Sequence, residues 1–431
     1  MNLVARFARG RFHYGWIVAA VTFLTLLAAA GVRAAPNVLI VPVGNAFQWS
    51  RATISGAVAV NLVLYGLMGP FAAALYARFG LRRSMILAMF LLAVGFGATV
   101  FVNHYWQLVL LWGVLVGAGS GMAATVLGAS VASRWFAQRR GLVMGMLTAS
   151  GATGQLVFLP LLASLIETHG WKAAPIVTAG VAALLIPLIW YVMRDDPSDV
   201  GLRPFGESGA VVIEPGRPKT NPVHLALITL RDAMQKRDFW LLAGSFFICG
   251  ASTNGLIGTH LVSAAFDCGI PEVRAASLVA MMGIFDLFGT TLSGWLSDRF
   301  NNRWLLFGYY GLRGLSLLFL PTALAGTATG LAIFAVFYGL DWIATVPPTL
   351  RLTADVFGPE RAAIVFGWIV AAHQLGAAFA AFSAGTLRTV FGDYTMAFLA
   401  AGALCGVASL GVLAIHRNAP PSLPAGATEA L

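Results

Sequence analysis

A chain of 431 residues with 58% hydrophobic and only 10% charged residues, and a mean hydropathy of +0.81, lies far from soluble domains, where about 25% of residues are charged. That composition excludes an ordinary soluble enzyme. The net charge of +10, from 27 Lys and Arg against 17 Asp and Glu, would mark a nucleic-acid footprint only if the basic residues formed one patch; they are spread over short loops instead.

The N-terminus, MNLVARFARGRFHYGW, begins like the positive region of a signal peptide. The apolar stretch that follows runs from Tyr14 past Ile40, about twice a signal peptide's apolar core, so it is expected to stay as a membrane anchor. A spanning helix needs about 20 mainly apolar residues, because the hydrocarbon is about 30 Å thick and each residue rises 1.5 Å. That ruler gives twelve segments, near 14–44, 53–76, 84–102, 107–132, 142–166, 173–193, 239–263, 274–297, 304–322, 329–350, 362–388 and 395–415. The expected class is therefore an all-α membrane protein. Its parts are a six-helix bundle over 1–193, a polar linker with an amphipathic helix over 194–238, a second six-helix bundle over 239–415 and a tail over 416–431.

Loops rich in Lys and Arg stay on the cytoplasmic side. Of the 27 basic residues, 21 fall in the two tails, the linker and the loops after segments 2, 4, 8 and 10. Only Arg51, Lys172, Arg274 and Arg388 fall opposite them, and Arg33 and Arg313 lie inside segments. Both termini and the linker are thus expected in the cytoplasm, and no nucleic-acid partner is expected. The two halves also repeat: LYARFGLRR (75–83) aligns with LSDRFNNR (296–303), and FAQRRG (136–141) with FGPERA (357–362), both at a shift of 221 residues. Parallel six-helix repeats put a substrate path between the halves, near the bilayer midplane.

GWLSDRFNNR resembles the signature of the major facilitator superfamily, G-x-L-x-D-R-x-G-R-R. Gly294, Leu296, Asp298, Arg299 and Arg303 match in the C-terminal copy; Leu75, Arg78, Gly80, Arg82 and Arg83 match in the N-terminal copy, where Ala77 stands in place of the aspartate. The resemblance implies two pseudo-symmetric six-helix bundles and a latch whose carboxylate pairs with basic residues and helix ends. The gating set it implies is Arg78, Gly80, Arg82, Arg83, Gly294, Asp298, Arg299 and Arg303, together with Arg140 and Arg361 of the second repeated motif. A finer resemblance, to the bacterial monocarboxylate and oxalate transporter-like branch, rests on Tyr14-Gly15-Trp16, QWSRATIS, RWFAQRRGLVMG and DDPSDVGLRPFG. It implies a carrier in the bacterial inner membrane. That branch carries an aspartate and an arginine four residues apart on helix 8, the arginine binding the substrate carboxylate; here Asp286 takes the first position and Thr290 the second.

Ionisable residues cost about 2.5–3.5 kcal/mol each at the centre of a membrane helix, so each needs a partner or a wet cavity. Asp286, Arg313, Asp341 and His373 fall near the midplane and are expected to form one group, with Arg313 paired to Asp286 or Asp341. Asp286, Asp341 and His373 are the proton-coupling candidates. Gln374, Asn254 and His260 add neutral polar groups in the same half; Arg33, Asn37, Asn61, Tyr65 and Gln155 are the candidates in the other. Arg33 has no acidic residue in any of the first six segments and is the best substitute for the missing carboxylate-binding arginine. Cys249, Cys268 and Cys405 read as small hydrophobes, and Pro347 and Pro348 are expected to kink or end the tenth helix.

No metal-ligand cluster, catalytic constellation or ATP-binding domain stands out, so neither enzyme activity nor a cofactor is expected, and energy must come from a gradient or exchange. The expected function is a proton-coupled carrier of a small organic acid, monomeric in its simplest form and working by alternating access. The alternative is an exporter of a cationic or zwitterionic compound such as a drug or metal chelator.

Overall fold

In the computed structural model the chain is described over residues 12–207, 222–326 and 328–416. Arg6, Arg9 and Arg11, the middle of the linker and the tail from 417 onward lie outside the described residues. No strand occurs among the described residues; one isolated bridge joins Phe136 and Phe205.

Twelve long helical segments follow in order. The first half holds α1 Gly15–Phe47, α2 Arg51–Phe79, α3 Leu81–Phe101, α4 Tyr105–Trp135, α5 Arg140–His169 and α6 Ala173–Val192. The second half holds α7 Arg237–Asp267, α8 Glu272–Ser297, α9 Asn302–Ala325, α10 Thr329–Phe357, α11 Pro359–Phe391 and α12 Thr395–Val412. A separate linker helix spans Pro222–Met234. Eleven segments are long and apolar enough to cross a bilayer; α9, which carries Arg303 and Arg313, falls outside that set although its 24 residues give it the length.

Local signals set the ends. Ser50 caps α2 by accepting from Thr53 N, Asn301 caps α9 by accepting from Arg303 N, and Gly80, Gly358 and Gly392 take positive φ at helix ends. Polar ends and apolar middles are what the bilayer selects.

Two of the helices are broken, the tenth near the prolines expected to kink or end it and the fourth without any such signal. In α4 the chain leaves helical geometry at Ala123–Ala124; in α10 it does so between Asp341 and Val346. The two breaks differ by the 221-residue shift of the repeat, since Ala123 and Ala124 correspond to Ala344 and Thr345. Non-helical backbone at membrane depth is tolerated only inside protein or beside a wet cavity. Interrupted helices at corresponding positions of two repeats are a pointer to a transport site.

The halves meet most closely at the end poor in arginine. There Asn37 Oδ1 accepts from Val262 N at 3.3 Å, and Ala52 N donates to Thr389 Oγ1 at 3.2 Å. Gly385 lies so near Ser55 that a Cβ would fall 2.4 Å from its hydroxyl oxygen. Contact between α2 and α11 continues down to Gly66, against Gln374. At the arginine-rich end the linker helix is tied to α11 by Trp368 Nε1 donating to Ala226 O and by an Arg361–Asp232 ion pair of 3.5 Å.

Candidate functional site

Each broken helix faces polar side chains. In the second half, Pro348 has no N–H, so the carbonyl of Ala344 loses its helical partner; the Ser293 hydroxyl of α8 donates to it at 2.5 Å. Ahead of the break, the fully buried Arg313 guanidinium of α9 donates to the backbone oxygens of Asp341 and Trp342 while its Nε meets the Asp341 carboxylate at 2.6 Å. Within the break, Ile343 N donates to Asp286 Oδ1 at 3.0 Å, and Thr290 donates to the same oxygen at 3.0 Å.

This geometry answers one question left open by the sequence and corrects one reading of it. Arg313 pairs with Asp341 rather than Asp286 and also closes the break in α10. Cys249 is not a bystander: its sulfur accepts from Arg313 Nη1 at 2.9 Å and lies 3.3 Å from Thr345 Oγ1. His373 stacks near Phe246, ring centroids 4.8 Å apart, and Gln374 beside it is buried with no partner for its Oε1.

In the first half, Arg33 Nη1 donates to the Tyr65 hydroxyl at 2.6 Å and lies 4.9 Å from that ring's centroid. Both side chains line a pocket of about 60 Å³ floored by the α4 break at Ala123–Ala124 and walled by Met144, Thr148 and Ser150 of α5. Arg33 makes no ion pair among the described residues. Tyr65 and Asp286 also correspond at the 221-residue shift, so each half presents one polar group from its second helix beside the break in its fourth.

Other expected residues are held by the fold. Asn61 Nδ2 donates to Trp112 O at 2.6 Å, joining α2 to α4. His260 is fully buried, with Nε2 2.8 Å from Ala381 O and Nδ1 3.2 Å from the Tyr394 hydroxyl. Asn37 joins the halves away from the breaks. Asn254 lies in a widened helical turn of α7, Ala251–Ile257, where its carbonyl accepts from Thr259. The side chains of Gln155 and Arg140 lie outside the described residues.

The gating residues divide by half. Asp298 is exposed and lies 4.0 Å from Arg351, which also meets Asp355 at 3.7 Å; Arg299 lies over Trp295, and Arg303 donates to the carbonyls of Leu413 and Ile415. Gly294 has no neighbour within 4 Å of where a Cβ would stand. In the first half, the carboxylate missing at Ala77 arrives from another part of the chain. Asp195, just after α6, accepts from Arg82 N at 2.8 Å and sits where a Gly80 Cβ would fall. Gly80 is thus fixed both by its φ of +84° and by the carboxylate against it. Ser293 and Asp195 escaped the sequence reading; only the acidic DDPSD run hinted at the second.

Among the described residues, twelve long helices in two repeats, each repeat interrupted in its fourth helix beside polar side chains, give the architecture of a membrane transporter. The sequence model of the Major Facilitator Superfamily matches residues 21–381 and again 254–430, and the chain belongs to that superfamily. It is 24% identical over 420 residues, covering 94% of this chain and 95% of the other, to the uncharacterized MFS-type transporter YcxA of Bacillus subtilis (strain 168). It is 28% identical over 409 residues, 93% of this chain and 88% of the other, to monocarboxylate transporter 13 of Rattus norvegicus. Among solved structures, the bacterial homologue of the human lysosomal transporter Spinster in its inward-facing, unoccupied conformation superposes with a TM-score of 0.74 at 17% identity, over 94% of this chain and 99% of that one. The protein is a multi-pass membrane transporter of a small molecule and not an enzyme.

Proposed function

We propose that the protein carries a small organic anion of the monocarboxylate type together with a proton. The observation that carries this reading is the Arg33–Tyr65 pair: a midplane guanidinium with a hydroxyl, and no carboxylate, as its partner, lining a pocket at a helix break. Arg313 is unsuited to the task because Asp341 already neutralises it. Thr290, where the similar branch has an arginine, is taken up by Asp286, so the anion-binding cation is supplied from the opposite half. That relatives are named monocarboxylate transporters supports the same substrate class.

Asp286 is the proton site on this reading. Buried and held by Ile343 N and Thr290, its charge ties α8 to the break in α10; protonation would weaken that tie and let the break change shape. His373 and Asp341 take supporting parts in the same cluster. The bundles 1–193 and 239–415 rock about the site. Orientation follows from the 21 basic residues on one face against four on the other: inner membrane, with both termini cytoplasmic.

The test is uptake of labelled monocarboxylates by liposomes containing the purified protein, with and without an imposed pH gradient. Arg33→Ala should abolish anion binding, and Asp286→Asn should leave exchange of anion but remove its dependence on the gradient. Binding that survives Arg33→Ala and is lost in Asp286→Asn would instead assign a cationic substrate.

A further inference from the structure

Away from the midplane site, among the gating residues at the arginine-rich end of the first half, lies a cleft of about 490 Å³, within the size range of ligand sites. It is lined by Arg78, Arg82, Arg83 and Arg134, with Asp195 and Asp196 on one wall and Trp190 on another. Asp195 is engaged by Arg82 N at the start of α3, and the Arg82 guanidinium lies 4.5 Å from the Trp190 ring. Arg82 Nε is buried with no hydrogen-bond partner. Neither Arg78 nor Arg83 meets a carboxylate among the described residues.

The corresponding end of the second half is wired differently. Arg303 is committed to the last carbonyls of the chain's final helix, Asp298 faces Arg351, and Arg299 lies on Trp295. Among the described residues of the two ends, Arg78, Arg82 and Arg83 of the first half gather around open space, and Arg299 and Arg303 of the second do not.

We infer that this cleft binds the phosphate of an anionic phospholipid. Phosphate suits a converging set of guanidinium donors, and a basic recess between membrane helices at the headgroup level is the arrangement that takes lipid headgroups. The source of the phosphate is argued from the rim. Phe79 is 47% exposed and Trp190 63% exposed, with Tyr191 beside it at 46%. Aromatic rings at that level sit at the headgroup boundary, so a phosphate in the cleft would have its acyl chains running down an apolar wall. A soluble phosphate would gain nothing from that wall. Because the cleft adjoins Gly80 and Asp195, an occupied site would brace the first half's loop between α2 and α3 directly. The leaflet follows from the orientation proposed above; the binding itself does not depend on it or on the substrate.

The test is lipid binding by the full-length protein in detergent, read by native mass spectrometry and by thermal shift. The probes are phosphatidylglycerol, phosphatidylcholine of the same chain length, and inorganic phosphate. Phosphatidylglycerol should bind well above phosphatidylcholine. The double variant Arg78→Gln/Arg83→Gln should lose on the order of 20-fold, since each arginine near a charged surface contributes about fivefold. Arg78→Lys/Arg83→Lys should retain most of the binding, which separates lost charge from misfolding, and Arg299→Gln in the other half should bind as the parent does. Equal binding of the two lipids, or undiminished phosphatidylglycerol binding by the glutamine variant, would overturn the inference. So would inorganic phosphate raising the melting temperature, in an Arg78- and Arg83-dependent way, where phosphatidylglycerol does not.

Discussion

Arg33 and Arg313 both lie in the middle of apolar helices, and their surroundings give them opposite fates. Arg313 is fully buried and spends its donors on Asp341, Trp342 and Cys249. Breaking a buried ion pair from one side costs about 3–5 kcal/mol, so Arg313→Met should lower the melting temperature strongly. Removing the stranded charge as well, in Arg313→Met/Asp341→Asn, should recover only part of the loss, because the carbonyls of Asp341 and Trp342 stay unsatisfied; full recovery in a thermal melt would show that the backbone contacts are worthless. Arg33, by contrast, holds only a tyrosine hydroxyl. Tyr65→Phe should leave folding intact and weaken anion binding by roughly tenfold, the scale of one hydrogen bond to a charged group. The sequence shows both arginines as exceptions in apolar runs and shows that Arg33 lacks a nearby acid. It does not show that Arg313 selects Asp341, 28 residues on, over Asp286, because that choice depends on how α8, α9 and α10 pack.

The break in α10 keeps turn bonds from Trp342 N to Gly339 O and from Val346 N to Ile343 O, and three side chains, Ser293, Arg313 and Asp286, hold it from outside. If the missing N–H of Pro348 is why Ser293 matters, the two residues must be coupled. Ser293→Ala alone should cost about 1–3 kcal/mol, the penalty for a buried unsatisfied carbonyl. In a Pro348→Ala background the new N–H can reach Ala344 O, and the same substitution should cost clearly less. A double-mutant cycle on thermal stability measures the difference, and strict additivity would refute the account. The prolines announce the break from the sequence alone. The matching break in α4 has no proline and could not be read there; it is seen only because Ala123–Ala124 leave helical geometry at the position the repeat assigns. Likewise Asp195 reaches Arg82 across 113 residues, a pairing that no local pattern carries.

Across the whole molecule, glycine spacing differs between the two ends. At the arginine-poor end Gly385 and Gly56 are pressed against Ser55 and Tyr105, whereas toward the arginine-rich end Gly69, Gly145, Gly294 and Gly367 have nothing within 4 Å of a Cβ position. Unfilled glycines also occur in the turns of the arginine-poor end, at Gly170, Gly269 and Gly392, but close approach without side chains is what packed membrane helices use, and on the alternating-access reading proposed above the helical glycine Gly294 is expected to meet a partner when the carrier turns over. Gly294→Leu should therefore fold normally yet hold the present conformation, with transport lost and Thr148→Cys remaining open to a water-soluble maleimide. Twelve segments, the repeat and the superfamily were legible from apolar spacing and loop charge; the conformation was not, since it lies in gaps rather than in residues. One further consequence concerns electricity rather than packing. The midplane holds Arg33, Asp286 and the self-neutralised Arg313–Asp341 pair, so with Asp286 ionised the empty site carries no net charge. On the proposed reading it gains one anion and one proton when loaded and is again neutral. Moving a unit charge through 100 mV is worth about 2.3 kcal/mol, a force to which neither journey would be exposed, so clamping the membrane voltage should leave the rate unchanged while collapsing the pH gradient should not.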